Sequence, residues 1–198
     1  MHDNITSKPV VTTKAYGKSI KASDLPDGIA RFFPIAPVAS MSSVSPGLAA
    51  PSLGLPKSIL LPILESLRDD VVEIAEAFQE VHIRMVAGSL LIIYEGDWER
   101  AAEGVRMFRL ADGSESGDAA EEDQWEDEGS EDDDEDDEDG PDDAGKKCPG
   151  PPYTVNLIDF AHTRIKPGQG PDHGVLFGLS TVRKLLDRRI EQVRNSEV

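Results

Sequence analysis

A run of acid divides this sequence in two. Between Asp112 and Asp143 there are 20 Asp and Glu residues and no Lys or Arg. The only large aromatic there is Trp125, Gly and Ser are interspersed, and Pro marks the exit. Such a stretch cannot bury enough apolar area to offset the entropy of ordering it, so disorder is predicted over 112–150. Any fold must then be assembled from two pieces, 1–111 and 151–198, packed together as a single domain of modest core.

The same run explains the net charge of −18. Outside it stand 18 acids against 20 bases, so the remainder is nearly neutral and does not by itself point to nucleic acid. Cys148 is the only cysteine, which excludes an intramolecular disulfide and a cysteine-based zinc site and fits a reducing compartment. The N-terminal stretch MHDNITSKPVVTTK lacks the apolar core of a signal peptide. No segment approaches the roughly 18 apolar residues needed to span a bilayer. The expectation is a soluble intracellular chain with neither a membrane nor direct nucleic acid as partner.

Hydrophobic period assigns the elements. Leu60, Leu64, Leu67, Val71, Ile74 and Phe78 recur at helical spacing, predicting a long amphipathic helix from Ser58, with Pro62 placed in its first turn. A shorter helix is expected from Leu25 through Phe33, capped by Ser23 or Asp24, with Ile29, Phe32 and Phe33 toward the core and Pro34 ending it. Ile83–Val86, Leu90–Tyr94 and Val105–Leu110 read as strands, the last after a short acidic and Ala-rich turn. Residues 1–15 read as an edge strand in need of a partner, and the Pro/Ser-rich 34–57 as loop. A final helix is expected from a cap at Asp172, with Leu176, Leu179, Val182, Leu186 and Ile190 on one face. Lys184, Arg188 and Arg189 are assigned to its solvated side. Helices with a small, mainly antiparallel sheet make this an α+β domain.

The chemistry concentrates after one more strand. Val155, Leu157 and Ile158 form a buried-strand pattern that stops at Asp159-Phe160-Ala161-His162, in a loop closed by Pro167, Gly168 and Gly170. A carboxylate delivered at a strand end is either a turn or cap residue or a hard oxygen ligand for Mg²⁺ beside nucleotide phosphates. The imidazole is either a hydrogen-bonded structural group or a contact to the same ligand. Gly140 to Lys147 nearly fits a phosphate-cradling loop. It is rejected: Lys147 stands where Ser or Thr should bind Mg²⁺, no strand precedes it, and Asp142 and Asp143 would repel phosphate.

Two strings in order, Ile158-Asp159-Phe160-Ala161-His162 and Gly170-Pro171-Asp172-His173-Gly174-Val175-Leu176-Phe177-Gly178-Leu179, resemble the C-terminal signature of the inositol polyphosphate kinases, most nearly the fungal multikinases. Tyr16-Gly17-Lys18-Ser19 with its trailing helix resembles a further stretch of that family. Gly88-Ser89-Leu90-Leu91, running to Tyr94-Glu95-Gly96, resembles its Ser-Ser-Leu-Leu motif, with Gly88 replacing the first Ser. A plain turn at Gly88-Ser89, and a solvated lysine at Lys18, are the competing readings. The resemblance implies the C-terminal lobe of such a kinase, using ATP and Mg²⁺ on an inositol phosphate. It assigns Asp159 to the metal at the ATP phosphates, Ser89 to the cofactor side, and His162 and Lys18 to the substrate side.

One family motif, Pro-x-x-x-Asp-x-Lys-x-Gly, occurs nowhere in these residues. It carries the Asp and Lys that act on substrate, and phosphoryl transfer needs several such groups at once. The expectation is therefore a truncated kinase, a fragment or a degenerate copy, with no catalytic residue assigned within it. The alternative is a catalytically inactive remnant whose acidic run contacts basic nuclear proteins. Nucleus and cytoplasm are the expected locations.

Overall fold

The computed structural model describes residues 1–36, 53–111 and 150–196. Most of the predicted 34–57 loop, the acidic run, the Gly140–Lys147 near-match and Cys148 lie outside the described residues. The elements, in order, are strands β1 (His2–Asp3) and β2 (Lys8–Pro9), and helices α1 (Lys14–Ser19), α2 (Leu25–Phe32) and α3 (Lys57–Glu80). Strands β3 (Ile83–Met85) and β4 (Ser89–Tyr94), helix α4 (Trp98–Ala111), strands β5 (Tyr153–Ile158) and β6 (Thr163–Ile165), and helix α5 (His173–Asn195) follow.

Two antiparallel helices from the two halves of the sequence make the core. Leu60, Ile63, Leu64, Leu67 and Val71 of α3 meet Leu179, Leu186, Ile190 and Val193 of α5 in one buried cluster. Each fully buried Leu or Ile contributes about 1.5–3 kcal/mol over its exposed state, so this stripe is the main force joining the halves. Lys57 Nζ donates to the Arg194 and Ser196 carbonyls at 2.6 and 3.1 Å, capping the end of α5. Nearer the surface, Arg194 pairs with Glu65 and Arg68 with Asp187.

The predicted mixture of helices with small antiparallel sheet forms, as three separate two-stranded ladders: β1–β2, β3–β6 and β4–β5. In β4–β5, Ser89 pairs with Ile158 and Tyr94 with Tyr153. Strand alternation turns Leu90, Ile92, Val155 and Leu157 inward and leaves Leu91 and Ile93 exposed. In β3–β6, Met85 pairs with Thr163, so the turn between β5 and β6 sits against the start of β4.

Several expectations are corrected. Val105–Leu110 is helical: Trp98, Ala101, Val105 and Phe108 fall at helical steps, and the Asp97 carboxylate accepts from the Arg100 N–H at 3.0 Å to start α4. Its Val, Met, Phe and Leu content favoured a strand only while that periodicity went unread. Pro62 lies beyond the first turn, inside α3, where its missing N–H leaves one helical acceptor without its usual donor. Residues 1–15 form no single edge strand, because β1 and β2 pair with each other and α1 begins at Lys14, capped by the Thr13 hydroxyl. Asn4 ties that hairpin to the head of α4, donating to the Gly96 carbonyl and accepting from the Trp98 N–H, each at 3.0 Å. Asp24 holds the N-cap position of α2 without capping it, accepting instead from the Lys21 N–H. Phe33 is fully buried but Phe32 is 40% exposed. Arg189, placed on the solvated side of the last helix, is buried.

The chain crossing before α3 is tight. Gly54 has φ +102°, and a Cβ there would stand 2.3 Å from the Pro34 carbonyl oxygen, so only glycine fits. The Gly54 carbonyl accepts from the Trp98 indole N–H at 2.7 Å.

Candidate functional site

Ladder register brings three of the four sequence-assigned residues together. Because Ser89 opposes Ile158, Asp159 emerges immediately beyond the end of β4–β5. Asp159 itself ends the strand, in the left-handed conformation with φ 69° and ψ 48°. A non-glycine residue there carries strain, which is informative when the side chain is solvent-facing and its carboxylate makes no cap. The chain then makes a single 3-10 turn, Phe160–His162, closed by the Thr163 N–H on the Phe160 carbonyl. His162 leaves that turn exposed, as Ser89 and Asp159 are. One end of the paired strands thus presents a hydroxyl, a carboxylate and an imidazole to solvent.

Lys18 does not join them. It is exposed in the last turn of α1, a helix set against α2 through Arg31, whose guanidinium lies 4.5 Å from the Tyr16 ring centre. Beneath α1 a cavity of about 600 Å³ is lined by Val10, Val11, Tyr16, Ile20, Ile29 and Phe32. A second, of about 480 Å³, lies behind the start of β4, between Leu90, Ile92 and Leu157 and the Gly174–Val182 stretch of α5. Gly88 borders it, and a Cβ there would sit 2.1 Å from the Met85 sulfur. The atom it would meet belongs to a flexible side chain, so a serine there would require only that Met85 shift.

Asp172 carries the loop after β6 into α5. Its carboxylate accepts from the Met85 N–H at 2.9 Å and from the Gly174 and Val175 N–H groups at 2.9 and 3.3 Å. Those backbone donors, Met85 first, hold its pKa below the ordinary carboxylate value. One side chain therefore fixes β3 against the head of α5.

A divalent cation fits this arrangement in one way. Among the described residues no three metal-ligating side chains converge. Magnesium characteristically takes one or two carboxylates and completes its shell with phosphate oxygens and water. Asp159 is an exposed carboxylate at this strand end.

Sequence reading missed a group beside the site. His82 and Arg84 on the β3 side and Arg164 and Lys166 on the β6 side line the ladder that runs away from the turn carrying His162. The alternation His162-x-Arg164-x-Lys166 was the available signal.

A family model described as inositol polyphosphate kinase matches residues 1–187. The inositol polyphosphate multikinase of Saccharomyces cerevisiae is 41% identical over 113 residues, covering 52% of this chain and 28% of that protein. The crystal structure of the S. cerevisiae inositol phosphate multikinase Ipk2 in complex with ADP and Mn²⁺ is similar at a TM-score of 0.49 and 21% identity, covering 90% of this chain and 50% of that one. The chain thus spans less than a third of the curated relative and half of the solved one. Since the family match runs through nearly all of the sequence, the chain belongs to the inositol polyphosphate kinase family.

Proposed function

We propose that this chain supplies the metal-holding and substrate-facing part of a kinase that moves the γ-phosphoryl group of ATP to a hydroxyl of an inositol phosphate. The observation that carries this reading is the family match over residues 1–187. The position of Asp159 supports it. Asp159 would hold Mg²⁺ against the nucleotide phosphates, where the ion neutralises charge that builds on the transferring group. Ser89, at the same strand end, would donate to the nucleotide. His162, one turn further, would contact a phosphate of the inositol, and Lys18 would approach the substrate from α1. Attack by the hydroxyl oxygen on the γ-phosphorus forms the new ester and breaks the bond to the β-phosphate bridging oxygen. ADP leaves, and the hydroxyl proton passes to solvent or a base.

The Pro-x-x-x-Asp-x-Lys-x-Gly motif is absent from these residues. The test is therefore a fusion that places a family segment bearing this motif ahead of residue 1. With ATP, Mg²⁺ and an inositol trisphosphate, the fusion should turn over, and Asp159→Asn should lower the rate at least ~100-fold through loss of the Mg²⁺ ligand. Full activity in Asp159→Asn would remove Asp159 from the metal.

The acidic run favours a second reading, a non-catalytic module in the nucleus and cytoplasm that binds basic nuclear proteins. A fusion that folds, binds no nucleotide and retains a basic peptide through 112–143 would select it.

A further inference from the structure

Several arginines on this molecule are matched. Among the described residues Arg68, Arg100, Arg106, Arg183 and Arg194 each meet a carboxylate. The β3–β6 ladder departs from that pattern, because Arg84 lies directly opposite Arg164 in the register. Like charges facing each other across an antiparallel pair destabilise it. Ile83, Met85, Thr163 and Ile165 take the other face, so the two arginines share theirs. His162 and Lys166 flank Arg164 two residues to either side, and His82 stands two before Arg84.

The neighbouring loop is fixed. Arg84 donates Nη1 to the Ile83 and Gly170 carbonyls at 2.6 and 3.0 Å and Nη2 to the Gln169 carbonyl at 2.8 Å. The Lys166 N–H reaches the His82 carbonyl at 2.6 Å, and the Gly168 N–H reaches His82 Nδ1 at 2.8 Å. Gly168 and Gly170 supply the positive φ angles, 77° and 68°, that fold the loop back. Asp172, the carboxylate beside Arg84, is engaged by three backbone N–H groups. Arg164 and Lys166 remain exposed on a preorganised edge next to His162.

We infer that this edge is a binding surface for clustered phosphate groups, with Arg164 and Lys166 setting affinity according to how many phosphates the ligand carries. A guanidinium takes phosphate oxygens in pairs and an ammonium adds a point charge, so a polyphosphorylated ring offsets the Arg84–Arg164 repulsion while engaging Arg164 and Lys166. The inference rests on the kinase reading only in naming an inositol phosphate as the ligand.

Binding without nucleotide tests it. Inositol hexakisphosphate and an inositol trisphosphate titrated into ¹⁵N-labelled residues 1–198 should first move the amide resonances of Arg164, Ile165, Lys166 and Gly168. The hexakisphosphate should bind more tightly. Combining Arg164→Gln with Lys166→Gln should weaken binding at least ~30-fold through lost charge-assisted contacts, with Arg164→Lys intermediate because charge survives and the paired geometry does not. Lys184→Gln with Arg188→Gln removes the same charge from the exposed side of α5 and should cost less than about threefold, consistent with screening of distant charges. Vesicles bearing a phosphoinositide headgroup distinguish the ligand's source. Recruitment that is lost in the Arg164/Lys166 variant assigns the surface to lipid, and soluble binding alone assigns it to free inositol phosphate. Equal losses from both charge pairs, shifts centred on α1, or no binding would overturn the inference. A fusion that turns over without this dependence would leave the kinase reading standing. Binding without turnover would do the reverse.

Discussion

The Arg189 guanidinium, on α5, donates Nε and Nη2 to one acceptor, the carbonyl oxygen of Phe33, at 3.1 and 2.7 Å. The adjacent carbonyl, that of Phe32, accepts from the Tyr94 hydroxyl at 2.7 Å. Two side chains, one from β4 and one from α5, thus take up the carbonyls at which α2 ends. Burial pushes the Tyr94 hydroxyl up to about 12, so it stays a donor across the usual pH range. Burial also lowers the Arg189 pKa, in the direction that disfavours a charge taken out of water.

Arg189→Met is expected to destabilise the fold by about 2–3 kcal/mol, because the Phe33 carbonyl stays buried and loses its donors. Arg189→Lys should recover part of that. Urea unfolding of the three proteins gives the comparison, and a loss under about 0.5 kcal/mol in Arg189→Met would mean the clamp is idle.

The stripe joining α3 to α5 carries a larger load. Leu64 and Leu186 are fully buried, and Leu64→Ala or Leu186→Ala should each cost about 2–5 kcal/mol. Denaturant midpoints with unchanged slope check this, since a changed slope would indicate that one half unfolds separately.

Asp159 ends its strand in the left-handed region. Its left-handed backbone suits glycine better, so Asp159→Gly should hold or raise stability by up to about 1 kcal/mol, and Asp159→Val should lose about 1–2 kcal/mol. Thermal unfolding reads both. A clear loss in Asp159→Gly would show that the carboxylate is there to stabilise the turn.

Asp172 makes stability depend on acid. Its pKa in the folded chain lies below its ordinary 3.8, chiefly because the Met85 N–H bonds its charged form. The stabilisation is complete above that ordinary value and is lost as pH falls through the lower, folded one. Asp172→Asn keeps one acceptor oxygen and turns its amide NH2 toward a backbone N–H, so it should cost about 1–2 kcal/mol at pH 7 and show a flatter decline below about pH 4. Parallel acid titrations monitored by circular dichroism would show it, and identical acid limbs would contradict it.

Deleting 112–143 takes away 20 like charges and little apolar surface. The melting midpoint at low salt is expected to hold or rise, moving down by no more than about 3 °C. A larger fall would show that the run packs on the domain.

Helices α3 and α5 were legible because a long apolar stripe has one physical use, and Asp172 because a helix needs an acceptor at its first N–H groups. Three residues defeated the same reasoning for stated causes. Val105 opens a stretch whose Val, Met, Phe and Leu content favours a strand, although α4 runs through it unbroken. Arg189 carries a charge that composition sends outward, yet its partner is a carbonyl 156 positions away. Lys18 was grouped with His162 on the substrate side by resemblance, whereas α1 sets it against α2 through the Tyr16 and Arg31 contact. Ser89, Asp159 and His162 were each named from resemblance to family motifs. Their meeting depends on the β4–β5 register, which pairs segments from opposite sides of the acidic run.

Gly104 has one more consequence. A Cβ on it would approach the Gly150 carbonyl oxygen to 3.2 Å and the Pro152 Cα to 3.3 Å, so the returning strand lies directly on α4, the helix from which residues 112–149 depart. The cost of closing a loop between such neighbours grows only with the logarithm of its length. A backbone break inside that span would leave every contact among the described core residues in place, and neither fragment alone could cover its half of the α3–α5 stripe. Expressed as two polypeptides, 1–111 and 150–198 should find each other and fold as one, a natural split protein whose reassembly reports when both halves are present.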